Sequence, residues 1–335
     1  MRFRFDPFIP TMMGAIVLAT FAPAHGSGAL AVSWAGTIGV AGLFFGHGAA
    51  LSPQAVLAGL RHWRLHVFIL ATTFLVFPAI VYPLTLLPRG WLPADLILGF
   101  VYLAVLPSAV SSSIAFTAMA RGNVPAAICN SAGSNVFGLL LTPLLVMGLM
   151  QESATMDPLG SLRDICLGLL LPFIAGQLAR PWLAGFVGRH HRRLHQYDQL
   201  VIVVVIYGAF SRSVAEGLWR SLPPAALGAA VLLCVAILTF VMAFTMFGSR
   251  HLGFSRADEI AAVFCGSKKS LASGLPLAQV LFAGTSGFGM IVLPIMLYNQ
   301  IQIVVGAVLA GRYARGAGEE RRHAEAEKRS APTVT

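Results

Sequence analysis

The sequence predicts an all-α integral membrane protein. Ten transmembrane helices form two inverted five-helix repeats, and helices 4 and 9 are broken where they cross. Three observations lead there. Of 335 residues, 57% are hydrophobic and only 11% charged, whereas a soluble domain carries about 25% charged residues; the chain is built for a bilayer. Apolar stretches long enough to span hydrocarbon, about 20 residues each, recur ten times. Two of them, at corresponding places in the two halves, carry polar and helix-breaking residues.

The stretches run approximately over 8–24, 31–50, 66–87, 95–119, 125–149, 162–182, 198–214, 224–248, 259–282 and 289–311. The first follows Arg2 and Arg4 and ends near Ala22-Pro23-Ala24, a pattern shared with cleavable signal peptides. It is read as a span, because its removal leaves an odd count and spoils the repeat. Residues 1–150 make the first repeat, 151–161 the linker, 162–312 the second repeat and 313–335 a charged, partly disordered tail. Five is odd, so the second half enters the membrane upside down.

Charge supports the count. Seventeen of the 23 Lys and Arg fall on one side, among them Arg121, Arg189, Arg192, Arg193, Arg250, Arg256 and those of the tail. Arg89, Arg163, Arg212 and Arg220 fall on the other. The richer side is the cytoplasm, which places both termini there in a multi-pass protein of the plasma (inner) membrane. The net charge of +10 then reflects loops and tail, with no nucleic-acid face. Trp34, Trp63, Trp91, Trp182 and Trp219 lie near span ends, where indoles favour the interface. None of the 13 acidic residues falls at a span centre, which argues against a relay through a buried carboxylate. Cys129, Cys166, Cys234 and Cys265 have spacings that suit neither a disulfide framework nor zinc. All four are expected to be buried and inert, and neither metal nor cofactor is expected.

The fourth span breaks at Leu106-Pro107-Ser108-Ala109-Val110-Ser111-Ser112-Ser113 and the ninth at Gly266-Ser267-Lys268-Lys269-Ser270-Leu271-Ala272-Ser273-Gly274. Matching interruptions in two halves point to a binding site. Lys268 and Lys269 would lie at membrane depth, where a charge is costly and marks function by default. Adjacent helical residues face about 100° apart. One lysine is therefore expected to face an aqueous cavity and hold an anionic small molecule. The alternatives are that both snorkel or that one pairs with backbone carbonyls. Ser267 and Ser270 flank them. Ser111, Ser112 and Ser113 offer hydroxyls for an oxyanion or a desolvated sodium ion, or bond back to their own helix. Asn130, Ser131, Ser134 and Asn135 form a polar face on the fifth span, either lining the site or joining helices. Asn299, Gln300 and Gln302 take the symmetric place on the tenth. Arg121-Gly122-Asn123 is read as a turn whose Asn123 caps the next helix. Arg189-His190-His191-Arg192-Arg193 and His195 are read as a cytoplasmic loop facing lipid head groups, their spacing being poor for a metal.

These stretches resemble the bile acid:sodium symporter superfamily, in particular its SBF-like branch. Phe44-Phe45-Gly46-His47-Gly48, His62-Trp63-Arg64-Leu65-His66, Thr73 through Pro78, Ala120-Arg121-Gly122-Asn123, Leu141-Thr142-Pro143-Leu144 and Phe264 through Pro276 carry the resemblance, over roughly residues 5–315. It implies a panel of spans 1, 2, 6 and 7, a core of the other six, and alternating access by movement of one against the other. The sodium chemistry transfers poorly. Where sodium-coupled members have a Ser-Asn pair, this chain has Ser113 and Ile114; their fifth-helix Ser and Thr fall on Ala127 and Ser131. Their ninth-helix glutamate falls on Phe264, and a glutamine of the second site on Lys268. Lys268 is thus expected to take the place of a sodium ion and make transport sodium-independent, with sodium coupling altered or absent; sodium, a proton or no ion are the alternatives for coupling. Two rival readings are a regulatory membrane protein that moves no solute and a Ser-Lys hydrolase built on Ser267, Lys268 and Ser270. The second is disfavoured, because residues one and two apart on a helix do not face each other.

Overall fold

The computed structural model describes residues 8–50, 62–88, 90–149, 166–282, 285 and 287–330, and these contain helices and no strand. In chain order they are α1 (Phe8–Phe21), α2 (Gly26–Ala50), α3 (Trp63–Leu86), α4 (Ala94–Val105), α5 (Ser111–Met119) and α6 (Val124–Leu149). Then come α7 (Leu171–Arg189), α8 (His191–Ala215), the short α9 (Leu218–Ser221), α10 (Pro224–His251), α11 (Arg256–Gly266), α12 (Leu271–Phe282) and α13 (Phe288–Ser330). The linker 151–161, Arg2, Arg4, Arg89 and Arg163 lie outside the described residues.

Among the described residues, six helical stretches are long and apolar enough to cross a membrane: α2, α3, α6, α10, and the segments Arg192–Ala215 and Phe288–Arg315. Shorter apolar helices cover Pro10–Phe21, Ala94–Val105 and Leu167–Leu183. Large apolar side chains stand exposed along them, among them Leu18, Trp34, Leu178, Leu232 and Phe247. Such a surface suits lipid, and a helix satisfies its own backbone there.

Two expected spans, 95–119 and 259–282, are each two short helices. α4 and α5 are separated by 106–110, α11 and α12 by 267–270. Pro107 ends α4, since it has no N–H to continue the ladder.

Other elements depart from the sequence reading. Residues 189–195 are not a loop: α7 ends at Arg189 and α8 begins at His191, with only His190 between them. Arg and Leu are good helix formers, so the polarity of the run was a poor guide. Cys129 is only partly buried, whereas Cys234 and Cys265 are buried. The last helix carries its backbone through the charged tail to Ser330. The turn after α5 forms around Arg121 (φ 60), and Asn123 Oδ1 accepts from Ala126 N at 3.0 Å, capping α6. Asn123 also donates to Asp258 at 2.7 Å.

α2 and α7 pack with backbones in contact. A Cβ on Gly48 would strike Phe173 O, and one on Gly176 would strike Phe45 O. Small residues allow this approach, the usual basis of helix packing in lipid. At one end of the bundle Glu259, 4% exposed, gathers α10, α11 and α13. It accepts from Arg250 at 2.9 and 3.0 Å, from Arg256 at 3.1 Å and from Tyr313 at 2.9 Å.

Candidate functional site

The two breaks meet, and each satisfies the other's backbone. Ser113 Oγ donates to Phe264 O at 2.9 Å and Ser108 Oγ to Cys265 O at 2.6 Å. In return Ser270 N donates to Pro107 O at 2.9 Å. Side chains of neighbouring helices serve the remaining carbonyls. Tyr102 donates to Gly274 O (2.5 Å), Tyr298 to Ser267 O (2.7 Å) and Thr142 to Val105 O (2.7 Å). Gln302 holds both backbone groups of Lys269, each at 2.9 Å. A broken helix in lipid persists only where its freed groups find partners in this way.

The two lysines have different surroundings. Lys269 is fully buried. Its Nζ donates to Thr73 O at 2.9 Å, Ala104 O at 2.7 Å and Leu106 O at 2.8 Å, and lies 4.0 Å from the centroid of the Phe77 ring. Three acceptors call for three N–H donors, which only the ammonium form possesses. Sequence explains each acceptor. Residues Thr72–Val76 form a π-turn in which Phe77 N bonds to Thr72 O, and the next residue, Pro78, has no N–H; Thr73 O is left free. Ala104 O and Leu106 O end α4, where carbonyls lack intrahelical partners and the helix dipole favours a cation. Lys268, also fully buried, makes one long bond to Gln302 O at 3.4 Å and sits 3.9 Å from the Phe116 ring centroid, a cation–π contact. Of the two lysines it is Lys269 that pairs with backbone carbonyls.

Beside the crossing lies a cavity of about 420 Å3, mostly apolar, into which neither lysine projects. The breaks supply Ser111, Ser112, Ser270 and Ser273 to its wall, and α6 and α13 supply Asn135 and Asn299. α5 begins at this wall with no side-chain cap, so the N–H groups of its first turn are free to bind a ligand. Ser270 Oγ caps α12 by accepting from Ser273 N at 3.1 Å. Asn135 bridges the breaks, donating to Ser108 O at 3.0 Å and accepting from Ser273 Oγ at 2.6 Å.

The other sequence-predicted residues lie away from the cavity. Ser267 bonds back to Val263 O and Ser113 faces Phe264 O. Ser134 accepts from Ser108 N at 3.0 Å, and Ser131 lies 3.8 Å from Cys265 Sγ. Asn130 meets His66 at 3.3 Å, and Gln300 meets Met12 Sδ at 4.0 Å. Sequence reasoning missed His47, His195, Asp198 and Gln199 on the facing wall; His195 had been assigned to a lipid-facing loop. It missed Tyr102 and Tyr298 as well. A second cavity, about 450 Å3, is lined by Ser33, Ser211 and Gln279 among others. It lies at the opposite ends of α2 and α8 from the first. Gly39 against Val201 and Gly42 against Tyr197 close the space between.

Apolar helices, a pair of interrupted helices locked together at a buried ammonium, and a solute-sized cavity beside them mark a multi-pass membrane protein. The chain belongs to the SBF-like CPA transporter family, whose model matches residues 6–315. It is 48% identical over 315 residues to PA2026, an uncharacterized protein of Pseudomonas aeruginosa, covering 94% of each chain. YfeH of Escherichia coli strain K12 is 44% identical over 314 residues, 92% of this chain and 93% of YfeH. Sodium/bile acid cotransporter 7 of Mus musculus is 29% identical over 275 residues, 81% of each.

Proposed function

We propose that the chain is a ten-span secondary carrier that moves an organic anion by alternating access, without sodium. Residues 1–150 and 162–312 are its two inverted repeats, and both termini face the cytoplasm across the plasma membrane. The observation that carries this reading is the crossing itself. It presents an uncapped helix start and a set of serine and asparagine side chains to an apolar cavity, and its own cation fills the carbonyl cage. A helix N-terminus attracts negative charge. A cage of carbonyl oxygens is a site for a hard cation, and in this chain Lys269 supplies that cation, in place of the Lys268 of the sequence reading. The relatives named sodium/bile acid cotransporters support an organic anion as the solute. The two cavities at opposite ends of α2 and α8 support alternating access, and on this orientation the one lined by His47 and His195 is the cavity nearer the cytoplasm.

Proteoliposomes test this in sodium-free buffer. Labelled taurocholate is expected to exchange into vesicles preloaded with unlabelled taurocholate. Ala272→Trp, which fills the cavity from its wall, is expected to stop the exchange. Exchange no faster than in protein-free vesicles is the contrary result.

A further inference from the structure

The facing wall of the cavity carries chemistry that an anion site alone does not need. Asp198 on α8 and His47 on α2 form a pair there, Nε2 to Oδ2 at 3.3 Å, with side chains 22% and 36% exposed. Gln199 donates to His195 Nε2 at 3.2 Å beside them. Among the described residues, His47, His195 and Asp198 are the titratable groups that line the cavity. α7 brings Phe173 to it, α12 brings Ser273 and Leu277, and α13 brings Asn299 and Ile303. Lys268 and Lys269 are buried behind the break and turned away. Asp198 Oδ1 accepts from no described residue. The cavity is therefore dipolar. The lining combines N–H groups and hydroxyls from α5 and the second break with a carboxylate oxygen from α8, and apolar side chains such as Phe44, Leu139 and Ile202 complete it.

A simple anion gains from the N–H groups and hydroxyls and is repelled by the carboxylate. A solute with a cationic donor at its far end gains from both. We propose that the substrate is a zwitterion with an apolar body, its acid group held at the start of α5 and its ammonium held by Asp198. The inference rests on the carrier reading above and changes its favoured solute from a simple anion to an acid that also carries an ammonium. His47 positions the carboxylate by holding Oδ2, which leaves Oδ1 for the ligand.

The test compares two probes of equal length, octanoate and ω-aminooctanoate, by calorimetric titration of the purified full chain in detergent. A charge-assisted hydrogen bond in a partly desolvated site predicts that wild type binds the amino acid about tenfold more tightly. Asp198→Asn is expected to abolish that preference and leave octanoate bound as well or better, a reversal that a folding defect does not produce. Ala272→Trp is expected to abolish both. If wild type binds octanoate as tightly as ω-aminooctanoate, or if Asp198→Asn keeps the preference, the zwitterion proposal is overturned while the anion carrier stands. If neither probe binds, the acid pole is missing and the carrier reading falls with the proposal.

Discussion

Replacing Lys269 by methionine is expected to destabilise the protein by about 3 kcal/mol, the range found when one partner of a buried charge interaction is removed. Methionine keeps most of the volume, so the loss reports on polar contacts. Three carbonyl oxygens, of Thr73, Ala104 and Leu106, are left without a donor. No water reaches them at a site of zero exposure. Lys268→Met is expected to cost less, about 1 kcal/mol, because that side chain makes one long hydrogen bond and a ring contact. Chemical unfolding in mixed micelles ranks the two variants, and equal losses would contradict the difference in surroundings.

Gly176→Leu is expected to be at least as damaging, about 3 kcal/mol or more, for a different reason. Overpacking a core costs about 1–3 kcal/mol where side chains can shift. At Gly176 the obstacle is the backbone of Phe45, and at Gly48 it is the backbone of Phe173. Neither can yield without separating α2 from α7. Gly185→Leu on the same helix meets open space and is expected to leave stability within about 0.5 kcal/mol. Melting curves of the two variants side by side check the contrast, and a tolerated leucine at Gly176 would mean that the helices are further apart.

Much of this architecture was legible because membrane helices advertise themselves. Ten apolar stretches stand out; among the described residues six helices long and apolar enough to cross a membrane lie on them, with shorter helices on the others. The two breaks were legible for the same reason in reverse, since Pro107, Gly266 and a lysine pair are conspicuous against apolar flanks. Long-range partners were hidden. Which lysine enters the cage depends on Thr73 O, 196 residues away in sequence, and on Pro78 failing to donate to it. Periodicity states only that neighbours point apart. The facing wall was hidden too, because His47 and Asp198 lie 151 residues apart and each alone looks like a polar residue at a helix end. Tyr102 and Tyr298 pass for core aromatics until their hydroxyls are seen on the carbonyls of the second break. The charged run at 189–195 misled because arginine marks a membrane side well and a loop poorly.

The central claim is that the chain's own ammonium fills the cation position where the interrupted helices cross. Thermal unfolding of wild type and Lys269→Ala, in sodium chloride against choline chloride at equal ionic strength, tests it most directly. Wild type is expected to melt at the same temperature in both salts. The alanine variant, its cage emptied, is expected to melt lower and to recover part of the loss saturably with sodium. A saturable rise of the wild-type melting temperature with sodium would contradict the claim.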